Sequence, residues 1–179
     1  MAEPVNTPWP CEVPLARVDR GDISLRFEPD ADQRKAIAKQ LGLVRLEAFS
    51  SEVYLTSWMD GAEVSGRLSA RVIQVCSVTA DDFEEAIEAR FTVHVIPADS
   101  EHAPAEEGGE LGLDPEADDP PDVLEGDVID VSGYVLEHLA LELDPFPRKP
   151  GAVFENPLPT AEISPFAALK ALKPKGDSD

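Results

Sequence analysis

Between Glu63 and Val72 the side chains alternate. Val64, Gly66, Leu68, Ala70 and Val72 are apolar or small, while Glu63, Ser65, Arg67, Ser69 and Arg71 between them are polar. A period of two belongs to a strand with one buried and one wet face, which commits this stretch to a sheet. Ile73 and Val75 then fall on the polar register, which predicts either a β-bulge or a stretch covered on both faces. Upstream, Val44, Leu46 and Ala48 alternate as far as Ser50-Ser51, and Val53 to Met59 is β-branched and aromatic. Asp60-Gly61 is a tight-turn signal. Downstream, DDFEEAIE reads as a turn or short helical excursion, after which Ala89, Phe91, Val93 and Val95 alternate with Arg90, Thr92 and His94 up to Pro97. An antiparallel meander is the simplest topology for such a series.

Helical signals flank the meander. After a short alternating strand at Ile23, Leu25 and Phe27, Asp30 and Gln33 have the spacing of a capping box. Ile37 and Leu41 then share a face, and Gly42 is a natural left-handed terminator. In IDVSGYVLEHLALELDP, Asp130 or Ser132 can cap a helix whose apolar stripe is Val131, Val135, Leu136, Leu139 and Leu143, ended by Pro145 and Pro147. A last signal is Ser164-Pro165 followed by Phe166, Leu169 and Leu172. The expected class is α+β: a mainly antiparallel β-meander, open to curling or barrel closure, with two or three short packing helices.

Acid is concentrated in one place. The chain has 179 residues and a formal charge of -21, and residues 98–127 hold twelve of its carboxylates with no Lys or Arg. That segment also carries four Pro and four Gly and few apolar side chains, so it reads as a disordered acidic loop. It is either a solubilising linker or an attractant for a basic protein. The expected organisation is a flexible Pro-rich arm (1–14), the N-terminal part of a single α+β domain (15–97), the acidic loop (98–127), the C-terminal helical part (128–173) and a tail (174–179). No apolar run approaches the ~20 residues of a membrane span, and the first residues lack a signal-peptide pattern, so the cytoplasm is the expected compartment. A monomer is the favoured state, with the oligomeric state left open.

Few residues offer chemistry. Nucleophilic catalysis needs a Ser or Cys positioned by a His, but His102 lies in the acidic loop. His94 and His138 read as solvated surface imidazoles. Cys76 reads as a small buried thiol, and Gln74, on the same face, as a tie from strand to loop. Cys11 falls in the arm, where it is open to adventitious oxidation. No phosphate-binding, zinc-protease, nucleophile-elbow or calcium-loop pattern occurs. No catalytic, cofactor-binding or metal-ligating residue is therefore expected. Arg67 and Arg71 share a wet strand face with Arg90 opposite, and with Arg148 and Lys149 they are the candidates for a basic patch; the alternative is a solvated strand face.

Several segments in order resemble a family. GRLSARVIQVCSVTADDFEEAIEARFTVHVIP, IDVSGYVLEHLALELDPFPRKPGAVF and SPFAALKALK are similar to the two signatures and the ending of the YceD-like large ribosomal RNA subunit accumulation proteins. The resemblance implies a cytoplasmic, non-catalytic protein needed for large-subunit ribosomal RNA to accumulate. Carried over by position, its signature residues are Gln74, Cys76 and Thr79, then Asp130, Glu137, Leu139, Leu141, Pro145, Pro147, Arg148, Lys149 and Gly151, then Pro165, Phe166, Leu169 and Lys170. Some relatives carry a C-x-x-C near the first signature that resembles a metal site; here Thr79 stands at the second position and no cysteine follows Cys76.

The expected function is binding: an assembly factor that engages large-subunit ribosomal RNA precursor or a basic ribosomal protein. The segment DPFPRKPG, with Phe146, Pro147, Arg148 and Lys149, is the favoured contact, and its alternative role is a simple helix exit. The competing functions are an acidic chaperone-like adaptor for a basic protein and a metal-dependent RNA-processing hydrolase.

Overall fold

A computed structural model describes residues 5–6, 9–103 and 120–154. Three long strands dominate: β4 (Arg45–Trp58), β5 (Gly61–Val75) and β6 (Asp82–Pro97). Before them come β1 (Val5–Asn6), β2 (Glu12–Pro14), α1 (Leu15–Val18), β3 (Ile23–Phe27) and α2 (Ala31–Gln40). After them come β7 (Asp122–Leu124), β8 (Val128–Asp130) and α3 (Val131–Glu142). The main sheet has six strands in the order β1-β3-β4-β5-β6-β7, and β2 pairs with β8 in a separate two-stranded sheet. The β3-β4-β5-β6 meander is antiparallel, while the short edge strands β1 and β7 pair in parallel. The fold is therefore α+β, but the sheet is open: its edge strands do not pair with each other, and no barrel closes among the described residues.

One sheet face is the core. Leu25 and Phe27, Val53 and Leu55, Val64, Leu68 and Val72, and Phe91 and Val95 point into it, as the period-two pattern requires. Ile37 and Ala38 of α2 and Val131, Val135 and Leu139 of α3 join the same cluster. Asp30 caps α2 by the expected box, its carboxylate accepting from the Gln33 amide at 2.9 Å while Gln33 Oε1 accepts from the Asp30 amide at 2.8 Å. Gly42 takes the left-handed conformation after the helix, with φ of 68°.

Several expectations give way. Ser50-Ser51 does not interrupt β4. A bulge at Glu47 does, since Leu46 faces Val72 but Ala48 faces Arg71. The extra residue flips the register, so Phe49, not Ala48, is buried. Pairing of β5 with β6 runs without a shift from Ala62 to Val75, and Val72, Ile73 and Gln74 are all buried, so both faces are covered there. The Asp60-Gly61 turn sits one residue earlier: Met59 and Asp60 form the loop, and Gly61 opens β5. A Cβ on Gly61 would lie 1.9 Å from the Val95 carbonyl oxygen, so close backbone approach demands glycine there. DDFEEAIE is strand from Asp82 onward, because pairing with β5 overrides the helical preference of Glu and Ala.

Residues 9–14 are packed rather than a flexible arm. Trp9 lies edge-on against Phe27 and Phe49, with ring centroids 5.6 and 5.9 Å apart. Val13 is fully buried in β2, and the Cys11 amide donates to Ser132 Oγ at 2.8 Å. At the far end of the acidic segment, Asp122–Leu124 is strand β7 rather than disordered loop. Residues 104–119, the tail and the C-terminal signal with Pro165, Phe166, Leu169 and Lys170 lie outside the described residues.

Candidate functional site

The strand β5 ends at Val75 and the chain turns through Cys76–Asp81 before entering β6. The Cys76 amide donates to the Asp81 carbonyl at 2.8 Å and the Ala80 amide to the Cys76 carbonyl at 2.9 Å. Ala80 adopts a positive φ of 58° to close the turn. Onto this turn docks the segment that leaves α3. Both the amide and the hydroxyl of Ser77 donate to the Pro147 carbonyl, each at 2.8 Å. The Lys149 amide donates to Cys76 Sγ at 3.4 Å, and Lys149 Nζ lies 3.6 Å from Asp81 Oδ2. The two signature stretches, more than sixty residues apart in the chain, thus meet.

Cys76 is the hub of the joint. It is 1% exposed, as its strand register predicts. Its sulfur also accepts from the Val78 amide at 3.4 Å. The Thr79 hydroxyl is the main influence that lowers its pKa, to about 7; burial opposes this, and the amides of Lys149, Thr79 and Val78 assist. Gln74 ties strand to strand rather than to the loop: its Nε2 donates to Glu85 Oε2 of β6 at 2.7 Å. That bond satisfies a buried amide in the first signature and keeps the hairpin in register beside the turn.

What the joint presents is a short irregular segment held at its middle. The Phe146 amide donates to Asp144 Oδ1 at 2.8 Å, an Asx-type turn that re-aims the chain after α3. Phe146 is 71% exposed and Arg148 is exposed beside it in sequence. Val153 and Phe154 are exposed a few residues on. Pro145 is exposed, and with Pro147 it cannot continue the helix. Lys149 is drawn toward Asp81 and is a fastening residue more than a free cation.

The remaining expected residues sit elsewhere. Asp130 caps α3, accepting from the Gly133 amide at 2.8 Å and the Ser132 hydroxyl at 2.9 Å. Leu139 is fully buried under the sheet. Glu137 lines a groove of about 620 Å³ with Glu12, Asp122, Glu125, Asp130 and Tyr134. Burial, then the nearby Asp122 carboxylate, pushes the Tyr134 hydroxyl well above the usual tyrosine range. Arg67 does face Arg90 across the sheet, on the wet side, with Arg26 two strands away. Its guanidinium engages Glu52 at 2.6 Å, so much of its charge is answered locally. These arginines line a groove of about 600 Å³ on the open sheet face, which Arg148 does not line. The basic residues form separate patches rather than one.

Neither strand nor helix histidine is simply solvated. His94 stacks on Trp58 at 4.2 Å and lies 3.4 Å from Glu63 Oε2. His138 stacks on Phe91 at 4.4 Å. Among the described residues no three His, Cys, Asp or Glu side chains converge as metal ligands would. Nor is any helix there long and apolar enough to cross a membrane.

One concentration of positive charge is absent from the sequence expectations. Arg34, Lys35 and Lys39 of α2 and Arg45 of β4 line a common groove. Its sequence signal is the recurrence of cations one helical turn apart on α2, in a chain otherwise short of them.

A family model described as large ribosomal RNA subunit accumulation protein YceD matches residues 64–173. The matched stretch begins in β5 and contains both halves of the joint at Cys76 and Pro147. No curated protein and no solved structure matches the chain.

Proposed function

Because this chain belongs to the family of large ribosomal RNA subunit accumulation protein YceD, we propose that it is a non-catalytic assembly factor acting in the cytoplasm. It supports accumulation of large-subunit ribosomal RNA by binding, and the segment 144–154 is its contact with the precursor RNA. The observation that carries this reading is the clamp of Pro147 onto Ser77, which holds Phe146 and Arg148 outward on a fixed base. An aromatic ring and a guanidinium suit stacking on unpaired bases and pairing with phosphate. The test replaces Phe146 by Ala and Arg148 by Glu in cells. Large-subunit precursor and mature RNA should fall while the purified variant unfolds at the same temperature as the parent. Unchanged ribosome profiles would remove this segment from the function.

A second reading, an adaptor for a basic ribosomal protein, is favoured by the acidic groove around Tyr134 and its position beside β7, where the acidic segment rejoins the fold. Binding of that kind is fast and steeply weakened by salt. Deleting residues 104–119 alone, which leaves β7 in place, should then weaken capture of the basic partner. Full affinity after the deletion reduces the segment to a linker.

A further inference from the structure

The groove between α2 and the start of β4 has a volume of about 590 Å³. Arg34, Lys35, Lys39 and Arg45 form its rim, and Ala38, Leu43 and Leu46 contribute its apolar floor. Glu47 is the one carboxylate in the lining, and it is held by Arg45 Nε at 2.8 Å. Arg34 donates to the Pro29 carbonyl at 2.7 Å, which fixes the guanidinium without neutralising it. Lys35 and Lys39 are exposed, one helical turn apart, and pair with no carboxylate among the described residues. A lining of net charge +3 on a chain of formal charge -21 is a local reversal of sign.

The topology keeps this groove away from the acidic segment, although Asp82 at the start of β6 is close enough to act on Arg45. Arg45 pairs with Ile73, and Ile73 with Glu84, near the start of β6. The acidic segment leaves the described body at Ala103 and returns at Pro120, next to the other end of β6, where Pro97 pairs with Leu124. Thirteen residues of strand separate Glu84 from Pro97. At ~3.4 Å each this is about 44 Å of strand. The points where that segment leaves and rejoins the described fold are therefore at the opposite end of the sheet from the cationic rim.

We infer that the α2–β4 groove is a docking site for the phosphate backbone of RNA. The inference rests on the assembly-factor reading and adds to it a second contact, outside the stretch that the family model matches. Phosphates meet the Arg and Lys rim, and sugar edges lie on the apolar floor. No aromatic side chain lines the groove, so it has no platform on which to stack a base. Contact of this kind positions an RNA without reading its sequence.

Fluorescence anisotropy on the full chain with a 30-nucleotide single-stranded RNA, at 50 to 200 mM salt, tests the site. Lys35→Glu with Lys39→Glu should weaken binding at least tenfold. It should also flatten the dependence of log affinity on log salt by about 1.4, at ~0.7 per lost cation on a single strand. Lys35→Gln with Lys39→Gln, which leaves the helix intact if charge reversal does not, should show the same flattening. Scrambling the RNA sequence should change affinity less than threefold. Parental affinity in both lysine variants overturns the site, and so does a poly-glutamate of equal charge that binds as tightly as the RNA. The Phe146 and Arg148 variants separate the two proposals. If they abolish RNA accumulation in cells while the lysine variants bind RNA normally, the groove fails and the assembly-factor reading stands.

Discussion

Pro147 gives its carbonyl oxygen twice to Ser77, once to the amide and once to the hydroxyl, each at 2.8 Å. A proline that stops α3 thereby becomes the anchor that fixes the exit of α3 to the end of β5. Ser77→Ala removes the hydroxyl bond and leaves the amide bond in place. The expected loss is about 1 kcal/mol of stability, the usual net worth of one hydrogen bond. Hydrogen exchange should quicken at the amides of residues 146–152 before it quickens in β5. Uniform protection across both segments would mean that the clamp contributes nothing to holding the loop.

Cys76 ties stability to pH. Its pKa falls from an ordinary value of 9.0 to about 7 in the folded protein. A depressed pKa means that the folded state favours the thiolate, so this contribution is complete above about pH 9 and is lost as pH falls through about 7. Urea unfolding should show stability rising between those values, and Cys76→Ala should flatten the rise. Burial pushes the Cys11 thiol the other way. Thiolate absorbance should therefore show Cys76 titrating first, while its burial keeps alkylation slow.

Gly66 lies beneath the ring of Phe91. A Cβ there would fall 2.6 Å from Phe91 Cζ and 3.1 Å from the Glu52 carbonyl oxygen. Phe91 has little room to yield, because its other neighbour is the stacked ring of His138. Gly66→Val should cost about 1–3 kcal/mol, the range of overpacked sites. A midpoint in urea equal to the parent's would show that the ring moves freely.

Asp130 serves two partners at the start of α3, the Gly133 amide and the Ser132 hydroxyl. Ser132 in turn bonds the backbone of Cys11. Asp130→Ala should therefore lower stability by about 1–2 kcal/mol, the upper part of the range for a lost cap. Asp130→Asn should recover most of it. Equal losses in the two variants would point to charge rather than hydrogen bonding as the cause.

Local pattern made much of this molecule readable. The alternation from Glu63 to Val72, the Asp30–Gln33 box and the apolar stripe of α3 each depend on neighbours within a few residues, and each is present in the fold. What escaped depends on partners far along the chain. The bulge at Glu47 is defined only against Val72 and Arg71. The strand character of Asp82–Glu88 comes from β5, not from its own composition. Residues 9–14 look loose because the proline-rich run hides how Val13 meets Ile129. Within the site, Cys76, Gln74 and Pro147 stood out individually, but no spacing rule connects Ser77 to Pro147. The cations of α2 are absent from the sequence expectations, because what makes them a patch is Arg45, which joins them across the turn at Gly42.

The parallel pairing of Val95–Pro97 with Asp122–Leu124 pins both ends of the acidic stretch to one corner of the sheet. The stretch is thereby a closed circuit and not a tail. The entropy of closing such a circuit grows only with the logarithm of its length, about 0.6 kcal/mol for each doubling. Length added between Ala103 and Pro120 should therefore cost the body little stability. A tag or a spectroscopic probe inserted there should leave β6, β7 and α3 where they are. That makes it the natural handle by which to follow this protein onto its RNA.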